Sequence, residues 1–586
     1  MDRLARLDPQ HERPSLQGLF LYPDQGLRDA NLKAENHSTS EISMKTKVRK
    51  PNIKILLHKV VTRTSATGNV SATTGSGAPN SFSSSSTTSN SPSALAGPPS
   101  QSDSPSNIYD LTAWLGEGSV VRVQKSVRDD AGAFAIDFVD ELMNGLQDTL
   151  SALIEPMDML EIRFAGDAYK YAGADGQKMP IMMRGFVSKM TRTQSMSDDG
   201  KPRRTIHIVG HDYHKILQMI QIFNMPCTPD VANLISAFPL FSKYGPDLNV
   251  QKSTEFFQAV FDLIVNPYIS GMQAAGATSG AALAEIPTDI QVPDALVSVQ
   301  LGAFNSGTVQ DLLREYLDIG PFNEFFVEDR DAGAWGPAGP YAVYRPAPFL
   351  GAGSRSPLQP IQDSVTTGVT TDSPLSPSAN VVQIDTSSII SISAERSDED
   401  LANYYWVDAP RFNMNYDDLT RQYAAYETQP GVAPYFIQGY QNVNPALYGL
   451  RKMETATQQG SPAETDSGNG TAVGAGRFAN QGSFLGWIDD RRNLLIALNQ
   501  DNVVFEKGDM HLMGNEKIRA GVYVQVNYGP QLQSLYYAHT VTHVFEPFGN
   551  YFTEVEYDRG TNFIDRVTAS KSGASPYYAE MIQPGS

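Results

Sequence analysis

Three histidines and an aspartate crowd one short stretch: His207, His211, Asp212 and His214. Imidazoles spaced H-x3-H-x2-H are the side chains that hold zinc, so metal ligation is the first chemistry to weigh. The first lies on an alternating, strand-like run and the others on the turn after it, and no HExxH helix accompanies them. The set reads instead as a polar turn capping a helix that begins near Lys215. His539 and His543 stand four apart on another strand-like run, hence on one face, and are likewise assigned no metal. Cys227, within Met225-Pro-Cys-Thr-Pro, is the one thiol of the chain, and no general base can be placed beside it. Carboxylates close in sequence, Glu395 with Asp398 and Asp489 with Asp490, are the types that cleave glycosidic bonds. That chemistry needs one acid in an apolar pocket and a defined separation, whereas these sit in charge-rich stretches that read as solvated faces. Gly351-Ala-Gly and Gly474-Ala-Gly lack the GK[ST] or GxGxxG setting of a phosphate cradle. No catalytic, cofactor-binding or metal-ligating residue is assigned.

Two sets of residues suit contacts with other proteins. Lys45, Lys47, Arg49, Lys50, Lys54 and Lys59 cluster on and before the strand-like run Asn52–His58. They either protect a solvated edge strand or meet an acidic neighbour. A Tyr-rich stretch holds Tyr404, Tyr405, Trp406, Tyr416, Tyr423, Tyr426, Tyr435 and Tyr440. It could be a carbohydrate platform, and reads better as aromatic packing between subunits. The candidate interaction residues are Lys47, Arg49, Lys50, Lys54, Tyr404, Tyr405 and Trp406.

The elements that would position these residues follow from composition and periodicity. A chain of 586 residues with 41% hydrophobic and 10% aromatic side chains has material for several domains. Only 19% is charged, and the formal net charge is −19. Such an acidic chain suits neither stable nucleic-acid binding through phosphate contacts nor, with no long uncharged apolar run, membrane insertion. One cysteine excludes an intramolecular disulfide, and no secretory signal is expected from the start MDRLARLDPQHERPS. Residues 1–45 read as a polar arm. A first strand-rich domain is expected over 46–227, interrupted by a Ser/Thr-rich insertion at 64–107. A helical subdomain follows over 228–320. There Phe256, Phe257, Val260, Phe261 and Ile264 form a stripe ended by Pro267. Thr308-x-x-Asp311 opens a second helix as a capping box, with Val309, Leu312, Leu313, Tyr316 and Leu317 on its apolar face. A mixed, Tyr-rich subdomain with linkers fills 321–480, and a last strand set with a tail occupies 481–586.

The last strand set echoes the first. The run from Met159 (MLEIRF) pairs with that from Val522 (VYVQVNY). Gly185 (GFVSKMTRTQ) pairs with Tyr537 (YAHTVTHVF), and Arg204 (RTIHIVGHD) with Phe552 (FTEVEYDRG). Short strands with one helix suit a small barrel, so two related barrels are expected in one chain. Three copies would then present six near-equivalent modules around an axis.

In this order, GAFAIDF, PMDMLEIRF, RGFVSKMTRT, IVGHDYHKIL, FNEFFVEDR, YAVYRPAPF, IISISAERSDEDLANYYWV, NPALYGLRKMETAT, HLMGNEKIRAGVYVQV, YYAHTVTHVF and TEVEYDRGT resemble the baseplate hub proteins of tailed bacteriophages. These are also called late control or tail hub proteins, and the hub portion of type VI secretion spikes is related to them. The resemblance covers most of 46–566; the 64–107 insertion and the arm depart from it. It implies an α+β, β-rich fold: two hub-type β-barrels with helical and mixed subdomains between them. It further implies a homotrimeric ring in the virion, made in the host bacterial cytoplasm and working without cofactor or catalysis. The ring would join a sixfold tail tube to a trimeric central spike, line the DNA conduit, and meet baseplate wedge proteins and the tape measure protein. A sheath contraction would drive the spike out. The rival readings are a hub-like scaffold with peptidoglycan hydrolase activity and the hub of a related contractile injection or secretion system.

Overall fold

The computed structural model describes residues 50–59, 108–140, 150–167, 179–223, 249–346, 381–408, 441–460 and 491–562, less 197–199, 201, 276–282, 293–294, 300–305, 333–335, 458, 493, 497, 528–532 and 548. Within the first range set, seven strands form: β1 Asn52–His58, β2 Ile108–Asp110, β3 Val121–Ser126, β4 Ala133–Val139, β5 Met159–Ala165, β6 Ile181–Met196 and β7 Pro202–Asp212. The alternation that predicts β4 is real: Phe134, Ile136 and Phe138 point inward and their neighbours do not. After it come a short helix α1 (Leu150–Leu153), α2 (His214–Met219) and β8 (Gln221–Phe223).

The middle of the chain is mixed. It contains β9 (Asn249–Lys252), α3 (Ser253–Val260), a π turn (Phe261–Val265), α4 (Asn266–Ala275), β10 (Thr288–Ile290), β11 (Leu296–Val299), β12 (Ser306–Thr308) and α5 (Val309–Tyr316). The expected apolar stripe on α3 is buried throughout. Pro267 does not end that helix. The wider π turn precedes it, with Asn266 N bonded to the Phe261 carbonyl, and Pro267 falls in the first turn after it without ending the helix. The capping box of α5 forms as expected: Asp311 N donates to Thr308 Oγ1 at 3.1 Å and Thr308 N to Asp311 Oδ2 at 2.8 Å. The apolar face behind it, Val309, Leu312, Leu313 and Tyr316, joins α3 in one core. At about 1.5–3 kcal/mol per fully buried large apolar side chain, that face outweighs the cap as the source of helix stability.

Next comes a buried hairpin, β13 (Asn323–Arg330) with β14 (Gly339–Pro346). The remaining strands are β15 (Val381–Asp385), β16 (Ile389–Glu395), β17 (Tyr404–Asp408), β18 (Lys452–Ala456), β19 (Gln459–Gly460), β20 (Glu506–Met513), β21 (Tyr523–Asn527), β22 (Gln533–Phe545) and β23 (Tyr551–Asn562).

Thirteen of these strands form one sheet, in the order β16-β20-β23-β22-β3-β4-β7-β6-β5-β1-β2, with β21 on β22 and β15 on β21. Two six-strand units lie within it. In chain order they are β1, β3, β4, β5, β6, β7 and β15, β16, β20, β21, β22, β23. In space each runs second, third, sixth, fifth, fourth, first. The fourth and fifth strands pair alike, Met159 opposite Phe186 and Tyr523 opposite Tyr537. Two residues beyond, both long strands carry a bulge against the sixth, at Ser188 and at His539. The units differ in the direction of one strand, β1 running antiparallel to β5 whereas β15 runs parallel to β21, and in several further bulges.

The fold is β-rich, as expected, but the expected closure is not seen. Among the described residues no backbone pairing joins the first unit's ends or the second's. The outer edge of β3, which closure would use, is occupied by β22. The second unit also starts before residue 481, because β15 and β16 come from 381–395.

Candidate functional site

The histidine cluster is pulled apart by its own backbone. His207 on β7 shares a hydrogen bond with Asp137 at 2.7 Å on an exposed face. His214, one residue into α2, is buried and bonds Gln310 of α5 at 2.6 Å. Burial pushes its imidazole below the usual value, so it sits neutral. His211 has a buried Nδ1 with no hydrogen-bond partner in the structure. Among the described residues no group of three or more His, Cys, Asp or Glu side chains could hold a metal ion.

His539 and His543 do not share surroundings either, because the bulge at His539 breaks the strand's alternation. His543 is buried: its Nε2 donates to the Ile518 carbonyl at 3.0 Å, and the Tyr551 hydroxyl reaches Nδ1 at 2.9 Å. Burial, helped by the Arg519 charge, lowers it to about 3. Glu395 is exposed at the end of β16, and exposed Asp398 pairs with Arg451 at 2.6 Å. Cys227, Asp489, Asp490, Gly351 and Gly474 lie outside the described residues.

Of the expected contact residues, Lys47 and Arg49 also lie outside. Lys50 and Lys54 are exposed, Lys54 between the inward Ile53 and Ile55 of β1. Tyr405 is fully buried within the chain, packed with Phe322, Ala402, Val407 and Leu495, and its hydroxyl donates to the Ala402 carbonyl. Tyr404 and Trp406 flank it half-buried. Tyr416, Tyr423, Tyr426, Tyr435 and Tyr440 lie outside the described residues.

The most organised polar cluster is a buried seam where the two units meet the β13–β14 hairpin. Lys125 of β3 bonds Asp329 of β13 at 2.6 Å and lies 3.4 Å from Asp212 of β7. Burial pulls Lys125 down, but the two carboxylates outweigh it and hold the ammonium charged. Arg519, leading into β21, donates to the carbonyls of Asp329 at 2.9 Å and Ile181 at 2.8 Å. Arg345 of β14 has no exposed surface; it bonds Glu324 at 2.5 Å and the Gly521 carbonyl at 2.9 Å. Gly521 has φ of 83° and the Arg345 guanidinium lies where a Cβ would stand, so both backbone and space require glycine. The Tyr537 hydroxyl of β22 donates to the other oxygen of Glu324 at 2.5 Å. Farther along β5, Glu161 holds Arg163 at 2.6 Å and Arg184 at 2.8 Å. Burial would raise Glu161, yet the two guanidiniums prevail and keep it below the usual carboxylate range.

These charges pair with one another, and of the Asp329 carboxylate only Oδ2 is bonded, Oδ1 being buried without a hydrogen-bond partner. The cavity among them, lined by Lys125, Asp212, His214, Asp329, Arg519 and His543, measures about 30 Å³. That admits a water, not a substrate. An open groove of about 670 Å³ beside Arg128, Asp400, Lys507, His539, Asp558 and Arg559 mixes both signs of charge and contains no acid in an apolar pocket. What the seam can do is fasten three stretches of chain rigidly together. The sequence carries a trace of it that alternation alone passes over: single charges inside apolar strands, as in FNEFFVED and YAVYRP.

No family model matches the chain, and no curated protein does. Solved structures similar to it include phage tail proteins and a type VI secretion component. The 43 kDa tail protein of prophage MuSo2 from Shewanella oneidensis aligns at 11% identity over 77% of this chain and 93% of its own, with a TM-score of 0.35. A tail protein from Neisseria meningitidis MC58 aligns at 10% identity over 76% and 94%, with a TM-score of 0.36. The E. coli c3393 protein is a type VI secretion component described as similar to the T4 tail proteins gp27 and gp5. It aligns at 7% identity over 76% and 75%, with a TM-score of 0.31. At these scores the likenesses do not by themselves establish a common fold.

Proposed function

We propose that this chain is a structural protein of a phage-type tail, the hub of its baseplate. Three copies form a ring that joins a sixfold tail tube to a trimeric spike and leaves a passage for DNA. The observation that carries this is the repeated strand unit, with matching strand order and matching bulges, in one polypeptide. A chain that holds two copies of one unit converts threefold symmetry into approximate sixfold symmetry, which is what an adaptor between such partners needs. The two units then act as hub-type modules of open-edged sheet. The buried seam supports the role mechanically: a part that transmits force between tube and spike must not shear between its halves. Wedge proteins, the tape measure protein and the exposed Lys50 and Lys54 belong to the outer contacts of the same ring, and the acidic balance keeps DNA phosphates from adhering.

Sedimentation of the purified full-length chain tests the reading. The expected species is about 192 kDa, three copies of a 64.0 kDa chain. A monomer that persists at every concentration contradicts it.

A further inference from the structure

Among the described residues, the chain uses one joint between units internally and leaves both halves of the same joint uncovered elsewhere. The distal half of β22, Thr540–Phe545, lies between β23 and β3, with Thr540 opposite Ser126 and Phe545 opposite Val121. Its counterpart in the first unit is the distal half of β6. The matching bulges align Ser188 with His539, and hence Lys189 with Thr540 and Gln194 with Phe545. That half of β6 pairs with β7 on one side, and among the described residues no strand pairs with its other side. Its residues Arg192–Met196 are exposed, whereas Val541, Val544 and Phe545 on β22 are buried.

The counterpart of β3 is β16. The registers through β4 and β7, and through β20 and β23, match Val121 with Ile392 and Val123 with Ala394. Strand β16 pairs with β20 and ends the sheet. Among the described residues, one chain thus carries an uncovered β6 half and an uncovered β16, related as β22 and β3 are related.

We infer that β16 of one copy pairs antiparallel with the distal half of β6 in the next, repeating the β3–β22 joint between chains. This rests on the trimeric reading above and names the edges that build it. The transferred register sets Ser393 opposite Thr193, Ala394 opposite Arg192 and Glu395 opposite Thr191. Glu395 then lies diagonal to Lys189, a favourable cross-strand charge pair. Extended outward, the pairing brings Met196 toward Ile390, the residue bulged out of the β16–β20 register. These side chains are 71% and 51% exposed. Two large exposed apolar groups on separate edges thus come near one another at that end of the joint. The second copy is the occupant that supplies both edges at once. A head-to-tail joint of this kind forms a ring when the rotation per copy closes, and a filament when it does not.

Paired cysteines test the joint in the full-length chain with Cys227→Ser as background. The Ser393 carbonyl lies against Gly508 of β20, so on its outward side Ser393 meets its partner as a non-hydrogen-bonded pair. Such pairs have Cα atoms about 4.5 Å apart, within disulfide reach. Thr193→Cys with Ser393→Cys is expected to give covalent dimers and trimers on oxidation. Thr193→Cys with Ile392→Cys, aimed at the opposite face, is expected to stay monomeric on a denaturing gel. Ala394→Pro removes an outward N–H while leaving the β20 ladder intact, and is expected to convert the trimer into folded monomer. Hydrogen exchange of the unsubstituted chain reads the joint without any variant: slow exchange at the Arg192 and Ala394 amides supports it. A trimer that fails to cross-link, tolerates Ala394→Pro and exchanges those amides rapidly overturns the joint and leaves the trimeric reading standing. An unsubstituted chain that never trimerises overturns both.

Discussion

Replacing Arg345 with methionine probes whether the seam holds the two units and the hairpin together through matched charge. Arg345 is fully buried, bonds Glu324 at 2.5 Å and the Gly521 carbonyl at 2.9 Å, and stacks over the Phe326 ring at 4.9 Å. Methionine fills much of the stem's volume but removes the charge that faces Glu324. Removing one partner of a buried pair costs about 3–5 kcal/mol, because the other charge stays behind in a poor solvent. Burial already pushes Glu324 upward, so in the variant this carboxyl takes up a proton more readily still. For a large domain each kcal/mol moves the midpoint by about 2–4 °C, so the affected transition should fall by on the order of 10 °C. Adding Glu324→Gln removes the stranded charge and should restore most of the loss. Calorimetry reports the midpoint. A chain of this size unfolds in more than one step, so hydrogen exchange in β13, β14 and β21 should show which part loosens. A single variant that melts within about 1 °C of the parent, or a double variant no better than the single, would refute the reasoning.

Two further outcomes follow from the same structure. His543 has a folded pKa of about 3 against about 6.5 unfolded. The unfolded chain therefore binds the extra proton in that window, and stability drops as pH falls through it, by about 1.4 kcal/mol per pH unit for one such group. Buried His58 and His214 act in the same direction, whereas Glu324 and Asp329, raised by burial, oppose it. His543→Gln should flatten the fall in melting temperature between pH 6.5 and 5; an unchanged slope would contradict the assignment. Thr308→Ala removes the reciprocal cap of α5 and should cost about 0.5–2 kcal/mol. Faster amide exchange confined to the first turn of α5 is the expected signature, and no change there would show the cap to be idle.

Much of this architecture was legible because periodicity reports burial. The inward Phe134, Ile136 and Phe138, the α3 stripe and the Thr308–Asp311 cap all follow from side chains that read their own environment. The internal repeat was visible as three pairs of segments, but their alignment was one residue out. Phe186, not Gly185, matches Tyr537, and Arg204 matches Tyr551 rather than Phe552. The bulges at Ser188 and His539 set that register, and the one-residue break in alternation that a bulge makes does not say which strand it is bulged against. The seam was not legible because its partners lie far apart in sequence. Lys125 meets Asp329, and Glu324 meets Tyr537, only after the sheet has formed. Tyr405 shows the converse limit: an aromatic cluster does not announce whether it faces a neighbour or its own core.

The account turns on two copies of one strand unit serving as neighbours in a threefold ring. Averaged electron-microscope images of the purified full-length protein, viewed along the axis, test this most directly. Six similar lobes related by a threefold axis, alternating between the two units, are the predicted result. Single particles with two lobes, or a ring whose repeat is not threefold, would contradict it.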